Sequence, residues 1–426
     1  MKIAIAGYGV EGESNYRYFS ADPSNEITIA DQKQPERILP LGIATIIGDD
    51  AFERLQDFDL VVRTAGLAPR KIKTNGKIWS ATNEFFAKCP CQVIGVTGSK
   101  GKGTTASLIA GILESAGKTV WLVGNIGKPA IEIVDQIKPE DVVVYELSSF
   151  QLWDLEYSPH VAVVLYIEQE HLDVHDNMFE YVGAKANITK YQSNQDWLVY
   201  NNTNQYSKGI AESSAAGLIG YKDATSAHIE DEYFYYGEQK ICSVSTLQII
   251  GKHNIDNACA AIDVAWLYTQ NNSVIESGLG GFKGLPHRLQ LVRELDGIKY
   301  YDDSIATTPN STIAALNSFS QPVVVILGGS SKGSDFAELG VELAKRDVRA
   351  IIIGQEAENI AKSCLVADFH DYETLLQPSM PDVVKSAKQL VKPGGVVLLS
   401  PACASFGMFK NYSDRGEQFT DAVNKL

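Results

Sequence analysis

Nine short runs of continuous apolar, mostly β-branched residues recur along this chain, and most of them lead into a glycine, serine or threonine. The runs are KIAIAG, DLVVRTAG, CQVIGVTG, TVWLVGN, DVVVYELSS, HVAVVLY, PVVVILGG, RAIIIG and GVVLLSPA. Strands whose apolar residues are continuous rather than alternating are typical of parallel sheets that are covered by helices on both faces. The sequence therefore predicts an α/β protein, and such sheets bind ligands at the carboxyl ends of their strands.

The length and composition fit a globular protein with several domains. The chain has 426 residues, which predicts about three domains at roughly 150 residues each. Its hydrophobic fraction of 45% and charged fraction of 21% are near globular averages and exclude a wholly disordered chain. With 37 Lys and Arg against 52 Asp and Glu, the net charge of −15 argues against nucleic acid or an anionic membrane as a partner. Any phosphate site must therefore be local, built from backbone N–H groups and a few cations.

Other features of the sequence favour the cytoplasm. No apolar run approaches the roughly 20 residues that a membrane helix needs, so no membrane insertion is expected. The opening segment MKIAIAGYGV predicts a first strand rather than a signal peptide. The cysteines are scattered, and the closest two, Cys89 and Cys91, match no usual zinc spacing. Reduced thiols of a cytosolic enzyme are the expected state of Cys89, Cys91, Cys242, Cys259, Cys364 and Cys403.

The first glycine turn carries a nucleotide-binding pattern. Gly7, Gly9 and Gly12 form G-x-G-x-x-G directly after a strand, and Asp31 ends the next strand about 20 residues further on. In such a turn the glycines let the backbone approach a pyrophosphate at a helix N-terminus, and the acid binds a ribose hydroxyl. The pattern alone suggests an NAD-dependent oxidoreductase. The same turn serves any nucleotide diphosphate, and a tight turn without a ligand is the remaining alternative.

The segment VIGVTGSKGKGTTASLIAGIL predicts a phosphate loop between a strand and an Ala-rich helix. In such a loop consecutive N–H groups and the helix dipole bind phosphates, a lysine reaches the β- and γ-phosphates, and a nearby hydroxyl holds Mg²⁺. Because Gly103 stands where the usual motif has Ser or Thr, Thr104 is the better metal candidate. The predicted loop comprises Gly98, Ser99, Lys100, Gly101, Lys102, Gly103, Thr104 and Thr105.

Three later residues add candidate ligands. Glu146 ends a strand, and an acid at a strand end near a phosphate loop is suited to Mg²⁺. His171 lies among acidic residues in EQEHLD, where a histidine has many possible roles. Lys185 lies on a helical stretch among small residues and would ordinarily be a solvated lysine.

Ten segments occur in one order along the chain. They are GVTGSKGKGTT, GNIGKPA, ELSSFQL, EQEHLD, GAKANI, GKHNIDNACAAI, GLPHR, YDDSIATT, GGSSKGSDF and SPACASFGMFKNYSDRG. Together they resemble the Mur ligases over essentially the whole chain, and ELSSFQL and the last segment most resemble the members that add D-glutamate. The phosphate loop is shared with folylpolyglutamate synthetases.

The resemblance implies a three-domain α/β architecture. A Rossmann-like domain over 1–90 would bind a UDP substrate, a central phosphate-loop ATPase domain over 91–283 would bind ATP, and a mobile Rossmann-like domain over 284–426 would bring the amino acid. The implied reaction is ATP-dependent addition of D-glutamate to UDP-N-acetylmuramoyl-L-alanine through an acyl phosphate, a step of peptidoglycan precursor synthesis. A cytoplasmic monomer that uses ATP and two Mg²⁺ ions is expected.

The resemblance also implies roles for individual residues. Thr104 and Glu146 would hold one Mg²⁺, and His171 would hold the second together with a Lys185 that CO₂ has carbamylated. A carbamate turns a cation into a carboxylate-like ligand. The implied catalytic residues are Lys102, His171 and Lys185. The ATP contacts outside the phosphate loop would be Asn254, Asn257, Arg288 and Asp303. The contacts of the UDP substrate would be Gly7, Gly9, Gly12, Asp31, Asn125 and Ser148. The contacts of the incoming glutamate would be Thr307, Lys332, Ser405 and Phe406.

Departures from the family pattern keep alternatives open. The usual DSKATN is DSIATT here, so Ile305 stands where a cation is expected and Thr308 where an asparagine is expected. This version resembles related ligases that add L-glutamate, and Ser331 also replaces an acid in GGSSKG. Since isoleucine cannot bind an anion, another cation must act there or the substrate geometry differs. The alternatives are a ligase that adds L-glutamate, a folylpolyglutamate synthetase-like ligase, an NAD-dependent oxidoreductase and a non-catalytic nucleotide-binding relative.

Overall fold

The computed structural model describes residues 1–124, 129–331 and 333–426. The chain forms two compact units. The first unit contains Met1–Leu247 and Lys252–Phe282, and the second contains Gln248–Gly251 and Lys283–Leu426.

The first unit begins with a five-stranded parallel sheet in the order β3-β2-β1-β4-β5. Its strands are β1 (Lys2–Ala6), β2 (Glu26–Asp31), β3 (Ala44–Ile47), β4 (Leu60–Arg63) and β5 (Lys77–Ser80). The helices are α1 (Val10–Ser20) and α2 (Ala81–Lys88). Because β1 is apolar at every position after Lys2, both of its faces are buried. Ile3 and Ile5 pack with Phe19 of α1, while Ala4 and Ala6 face the opposite layer.

A second parallel sheet of the same unit has six strands in the order β11-β10-β9-β6-β8-β7. Its strands are β6 (Gln92–Thr97), β7 (Val120–Gly124), β8 (Val142–Glu146), β9 (Val161–Val164), β10 (Trp197–Asn201) and β11 (Gly217–Tyr221). The helices between them are α3 (Lys102–Ser115), α4 (Ser149–Leu152), α5 (Met178–Ala186) and α6 (Gln205–Glu212). The strand β6 lies in the middle of the sheet, so the loop that follows it is surrounded by other strand ends.

The polar, Tyr-rich region after residue 205 forms α6, β11 and a small antiparallel sheet. The strands of this sheet are β12 (Ala227–Glu230), β13 (Tyr233–Tyr236) and β14 (Gln239–Ser243). Two helices follow, α7 (Lys252–Trp266) and α8 (Asn272–Gly281), and both pack against α3. A Cβ on Gly278 of α8 would lie 2.4 Å from the Ile112 Cα, so glycine allows this close packing.

The second unit has a six-stranded sheet in the order β15-β16-β20-β17-β18-β19, which is parallel except for the β15–β16 pair. Its strands are β15 (Gln290–Leu295), β16 (Ile298–Asp302), β17 (Val323–Gly328), β18 (Val348–Ile353), β19 (Tyr372–Thr374) and β20 (Val396–Leu399). The helices are α9 (Pro309–Leu316), α10 (Ala337–Ala344), α11 (Ala357–Val366), α12 (Met380–Leu390) and α13 (Tyr412–Asn424). Separate apolar cores fill the two faces of this sheet.

The predicted α/β class is confirmed, and all nine predicted apolar runs are strands with parallel partners. Each of the predicted ranges 1–90, 91–283 and 284–426 contains one of the three larger sheets, while the division into compact units joins the first two ranges. The three-domain boundaries therefore stay a prediction. Within the described ranges, no helix is long and apolar enough to cross a membrane.

Candidate active site

The predicted phosphate loop joins β6 to α3. Gly98 and Gly101 have φ angles of 154° and 86°, and Gly101 is the left-handed residue that precedes the first turn of α3. A helix of 14 residues presents unpaired N–H groups and the positive end of its dipole at this point, which suits a phosphate. A Cβ on Gly101 would lie 2.3 Å from the Asn257 Oδ1, so the glycine also makes room for a neighbouring helix.

Two lysines meet at this loop. The Lys102 Nζ donates hydrogen bonds to the carbonyl oxygens of Gly98 and Ser99, at 3.0 and 2.9 Å. The Lys185 Nζ also donates to the Gly98 carbonyl oxygen, at 2.8 Å. Lys185 is only 1% exposed, and burial, followed by the charge of Lys102, lowers its pKa well below the usual lysine value. Lys185 is therefore not the solvated lysine that its residue type would predict.

Tyr181 connects the loop with the predicted second metal site. Its hydroxyl lies 2.9 Å from the Ser99 Oγ, and its ring centroid lies 4.6 Å from the Lys185 Nζ and 6.3 Å from the His171 ring. Tyr181 lies one helical turn before Lys185 on α5, so both side chains lie on the same face of the helix. The structure therefore brings together three of the predicted residues around a tyrosine that the sequence did not single out.

His171 and His175 differ in their surroundings. The side chain of His171 is 42% exposed, its φ is 58°, and its ring lies 4.9 Å from the Phe150 ring. His175 is buried, and its Nε2 lies 3.0 Å from the Ser149 Oγ. The ring of His175 stacks on Phe150 and lies 4.3 Å from the ring of Trp153. The four-residue spacing in HLDVH was the available signal for this second histidine, which anchors the segment that carries His171.

The donor set near the phosphate loop fits Mg²⁺ in chemical type. Glu146 ends β8 beside β6, where it pairs with Val96, and both Glu146 and Thr104 are buried. A carboxylate and a hydroxyl are the hard oxygen donors that Mg²⁺ prefers. In the described parts of the chain, no three His, Cys, Asp or Glu side chains form a metal-binding cluster. Thr104 and Glu146 could supply two oxygen ligands to a Mg²⁺ ion, which in proteins usually takes several others from phosphates and water.

Asn254 and Asn257 lie on α7, next to the phosphate loop. The Asn257 Nδ2 donates to the Asn254 Oδ1 at 3.0 Å, and the Asn257 Oδ1 approaches Gly101. Both side chains are mostly buried. The structure therefore places these two predicted ATP contacts at the N-terminus of α3.

The first glycine turn has the predicted shape. Gly7 has a φ of 90°, and a Cβ on Gly12 would lie 2.1 Å from the Gly7 carbonyl oxygen, so the turn requires glycine at both positions. The Asp31 carboxylate accepts a hydrogen bond from the Tyr8 N–H at 2.8 Å, and it therefore lies against the turn. A Cβ on Gly9 would meet no described atom within 4 Å. The open side of the turn is suited to the approach of a ligand.

Arg63 joins this turn region to the second sheet of the same unit. Its side chain is fully buried, and its Nε donates to an Asp154 carboxylate oxygen at 2.8 Å. Its Nη2 donates to the Phe150 carbonyl oxygen at 2.9 Å, while its Nη1 donates to carbonyl oxygens of the segment 64–67. Nearby, Ser148 caps α4 in a reciprocal capping box with Gln151, so part of its hydrogen bonding is local. No motif in the sequence indicated this role of Arg63.

The remaining predicted ATP contacts belong to the second unit. Asp303 is buried and accepts hydrogen bonds from the Ser400 Oγ at 2.8 Å and the Leu289 N–H at 3.2 Å. Burial raises the pKa of Asp303 to about 7. Arg288 is exposed. Within this unit a buried acid directly after β16 therefore lies near an exposed cation that precedes β15.

Two further residues of this unit have contacts near the predicted site residues and were not predicted from the sequence. Arg415 is fully buried and donates to the Ser304 Oγ at 2.9 Å and to the Cys403 carbonyl oxygen at 3.1 Å. The His287 Nδ1 lies 2.7 Å from the Asp302 carboxylate, and this hydrogen bond raises the pKa of His287. In the sequence, His287 and Arg415 belong to the segments GLPHR and NYSDRG, but nothing there indicated a separate role for either residue.

The predicted glutamate contacts are only partly described. Ser405 is buried and Phe406 is exposed, and both follow the bridge that joins Ser330 to Ala404. Thr307 is half-buried and precedes Thr308, which caps α9, so the threonine that replaces the expected asparagine serves a helix N-terminus. Ile305 is half-buried. Two predicted contacts, Asn125 and Lys332, lie outside the described residues.

A glycine-rich loop before a helix, with a lysine, a hydroxyl and an acidic strand end around it, defines a phosphate-loop nucleotide-binding protein of the α/β class. Family models described as the Mur ligase middle domain and as the Mur ligase, glutamate ligase domain match residues 96–265 and 287–403. The chain belongs to the Mur ligase family.

Curated relatives support this assignment over the full length. UDP-N-acetylmuramoylalanine–D-glutamate ligase of Clostridium tetani is 35% identical, and the match covers 100% of this chain and 97% of the relative. The protein of the same name from Acetivibrio thermocellus is also 35% identical, over 100% of this chain and 96% of the relative. The crystal structure of MurF from Acinetobacter baumannii matches with a TM-score of 0.66 at 16% identity, over 99% of this chain and 90% of that one. The structural match confirms the fold.

Proposed function

We propose that this chain is an ATP-dependent ligase that joins D-glutamate to UDP-N-acetylmuramoyl-L-alanine in peptidoglycan precursor synthesis. The observation that carries the ATP-dependent part is the phosphate loop, where Gly98 receives hydrogen bonds from both Lys102 and Lys185. The names of the relatives at 35% identity support the choice of substrates. The family also favours a uridine diphosphate over a dinucleotide at the first glycine turn.

The first chemical step activates a carboxylate. The carboxylate of the nucleotide substrate attacks the γ-phosphorus of ATP, the bond to the bridging oxygen breaks, and an acyl phosphate and ADP result. Little covalent chemistry falls to the protein in such a transfer, so positioning and charge stabilisation dominate. Lys102 and the N–H groups at the start of α3 would hold the phosphates. Thr104 and Glu146 would hold one Mg²⁺, which neutralises phosphate charge when it is bound.

The second step forms the amide bond. The glutamate amine attacks the acyl carbon, and phosphate leaves from the tetrahedral intermediate. Thr307, Lys332, Ser405 and Phe406 would bind the glutamate, since a lysine and hydroxyls suit its two carboxylates. His171 would help to position or deprotonate the amine.

Lys185 would act as a carbamate. As an amine it donates a hydrogen bond to Gly98 and offers none of the oxygen ligands that Mg²⁺ prefers. Reaction of the neutral amine with CO₂ forms an N–C bond and releases one proton, and the product offers oxygen ligands for the second Mg²⁺ with His171. The near-complete burial of Lys185 supports this assignment because burial disfavours the charged amine.

The other assignments complete the proposal. Gly7, Gly9, Gly12, Asp31, Asn125 and Ser148 would bind the UDP substrate. Gly98–Thr105, Asn254, Asn257, Arg288 and Asp303 would bind ATP. The ranges 1–90, 91–283 and 284–426 would form the three domains, and the protein would act as a cytoplasmic monomer.

A ligase that adds L-glutamate is the second candidate. Ile305 favours it, because the family pattern with a cation at this position belongs to D-glutamate ligases. The half-buried Ile305 lies directly before Ala306 and Thr307, at the predicted glutamate contacts.

One assay tests both candidates. Purified protein is supplied with ATP, Mg²⁺ and UDP-N-acetylmuramoyl-L-alanine, and D- and L-glutamate are added in separate reactions. Glutamate-dependent ADP release and a product heavier by one glutamyl group are expected with D-glutamate. Product with L-glutamate alone would establish the second candidate, and turnover with a folate in place of the nucleotide would overturn both. Lys102→Ala serves as the control for contaminating ATPases, since it should abolish turnover.

A further inference from the structure

A pair of cysteines lies at the junction between the first two sheets, outside every role proposed above. Cys89 follows the last residue of α2, and Cys91 precedes the first residue of β6. The two sulfur atoms are 3.7 Å apart, with only Pro90 between the residues. The strand β6 ends at the phosphate loop, so the pair lies at the other end of the same strand.

The two thiols differ in accessibility. Cys91 is buried in the core beside Phe85 and Val93, whereas Cys89 is half-buried. The other four cysteines, Cys242, Cys259, Cys364 and Cys403, are buried, and all six belong to the described part of the chain. Cys89 is therefore the thiol that a reagent in solution reaches first.

The contact between the sulfur atoms also shifts the pKa values of the two thiols in opposite directions. The hydrogen bond with the Cys91 thiol lowers the pKa of Cys89, because a thiolate at Cys89 accepts this bond. The same contact, together with burial, raises the pKa of Cys91. The thiolate is the nucleophile in exchange with disulfides, so Cys89 is the reacting residue and Cys91 the resolving residue.

We propose that Cys89 and Cys91 are a thiol–disulfide exchange site whose substrate is a small-molecule disulfide. The Cys89 thiolate attacks one sulfur of the small disulfide, a mixed disulfide forms, and one small thiolate leaves. Cys91 then loses its proton to solvent and attacks the Cys89 sulfur, which releases the second small thiolate. Two protein thiols are oxidised to one disulfide, and one small disulfide is reduced to two thiols.

The short distance between the sulfurs favours closure of the disulfide, and the small ring favours its reduction. A disulfide needs a sulfur–sulfur distance of about 2.05 Å, so the sulfurs must approach by less than about 2 Å from their present positions. The closed ring contains only Cys89, Pro90 and Cys91. Disulfides that are strained or exposed are the ones that thiols reduce readily. The fraction of Cys89 and Cys91 in the disulfide form would therefore change with the ratio of small disulfides to small thiols around the protein.

The experiment measures the state of the peptide that carries both cysteines. The full chain is equilibrated at pH 7 with mixtures of oxidised and reduced glutathione, unfolded in urea that contains iodoacetamide so that buried thiols are also blocked, and digested with trypsin, which releases residues 89–100. As the mixture becomes more oxidising, the peptide should appear without alkyl groups and lighter by two hydrogen atoms than the free dithiol peptide, and dithiothreitol should restore both alkylation sites. The peptides with Cys242 and Cys259 are the internal controls and should remain alkylated.

Two variants test the assigned order of the thiols. In Cys91→Ser, a glutathione adduct should accumulate on Cys89, because the resolving thiol is absent. In Cys89→Ser, Cys91 should react at least 10-fold more slowly than Cys89 does in the other variant. A wild-type peptide that stays doubly alkylated in every mixture, or that keeps a stable glutathione adduct, would overturn the proposal. The readout is a mass and does not depend on the proposed ligase activity.

Discussion

Lys102 and Lys185 donate hydrogen bonds to the same acceptor, the carbonyl oxygen of Gly98, at 3.0 and 2.8 Å. One lysine comes from the first turn of α3 and the other from the last turn of α5. The shared acceptor brings two nitrogens of like charge together, and this arrangement contributes to the low pKa of Lys185. The first residue of the phosphate loop is therefore held from both sides.

Replacement of Lys185 by alanine should nearly abolish turnover. Removal of groups that only support a metal ligand costs about 10- to 100-fold, so loss of a carbamate ligand should cost more than about 100-fold in kcat/KM. Acetate or propionate should restore part of the activity, because a small carboxylate can occupy the place of the carbamate. Steady-state ADP release with and without added acid measures both effects.

Lys190→Ala is the matched control for this prediction. Lys190 is exposed and lies five residues further along the chain, near a tyrosine ring. This variant should keep wild-type turnover and should not respond to the added acids. Wild-type rates in Lys185→Ala without acid would exclude the carbamate.

Gly101→Ala should weaken ATP binding, and Gly117→Ala should not. Both glycines have left-handed φ angles, 86° and 79°, at opposite ends of α3. A Cβ at position 101 would lie 2.3 Å from the Asn257 Oδ1, whereas one at position 117 would meet no described atom within 4 Å. Both variants should lose about 1 to 2 kcal/mol of stability from the left-handed conformation.

Only Gly101→Ala should raise the KM for ATP, by at least about 10-fold, as expected from a shifted phosphate loop. Equal KM values in the two variants would contradict the assigned role of the loop.

Arg63→Met should destabilise the first unit far more than Arg70→Met. Arg63 is fully buried, and its loss leaves the Asp154 carboxylate and the Phe150 carbonyl oxygen without this donor. Removal of one partner of a buried ion pair costs about 3 kcal/mol or more. Arg70 pairs with Asp176 at 2.8 Å and with Glu180 at 2.6 Å, but its side chain is 38% exposed, so each pair should be worth about 1 kcal/mol or less.

Tryptophan fluorescence during urea unfolding measures this difference. All five tryptophans of the chain belong to the first unit, so the signal reports that unit alone. Similar unfolding midpoints for the two variants would show that Arg63 contributes no more than a surface arginine.

The sequence predicted the elements whose signal is local. Continuous apolar runs such as those of β6 and β17 are typical of buried strands in a covered sheet, and glycine spacing indicates a phosphate loop without any tertiary information. The small sheet of β12, β13 and β14 was not predicted. Its strands are short and lack a regular two-residue alternation of polar and apolar residues, so their pairing depends on packing.

The site residues that were not predicted from the sequence contact partners that are far away along the chain. Arg63 is an ordinary strand-end arginine until Asp154, 91 residues further on, lies beside it. Tyr181 contacts Ser99, which is 82 residues away in the sequence. Buried polar groups need such partners, and a single sequence does not indicate which residues will meet. The resemblance to a family supplied the motif positions, whereas the structure alone supplied the residues that support them.

Asp263 should make the stability of the first unit depend on pH. It lies on α7, the helix that carries Asn254 and Asn257, and one carboxylate oxygen accepts the Ala227 N–H of β12 at 2.7 Å. The side chain is fully buried, and the other oxygen has no hydrogen-bond partner among the described residues. Burial raises the pKa of Asp263 from 3.8 to about 8, so the folded protein keeps a proton that the unfolded chain releases.

Between about pH 4 and pH 8 the folded state therefore binds more protons than the unfolded state, and stability falls as the pH rises, by at most about 1.4 kcal/mol per unit. In Asp263→Asn this contribution is absent, because an amide does not titrate. The stability of the variant relative to wild type should therefore increase from pH 5 to pH 7.5, as measured by urea midpoints from tryptophan fluorescence.

Asp256→Asn is the control: Asp256 lies on the same helix but in a partly exposed pair with Lys222, so this variant should follow the wild-type profile. Parallel profiles for Asp263→Asn and wild type would mean that Asp263 is ionised in the folded protein. In that case the carboxylate, and not the acid, joins α7 to β12.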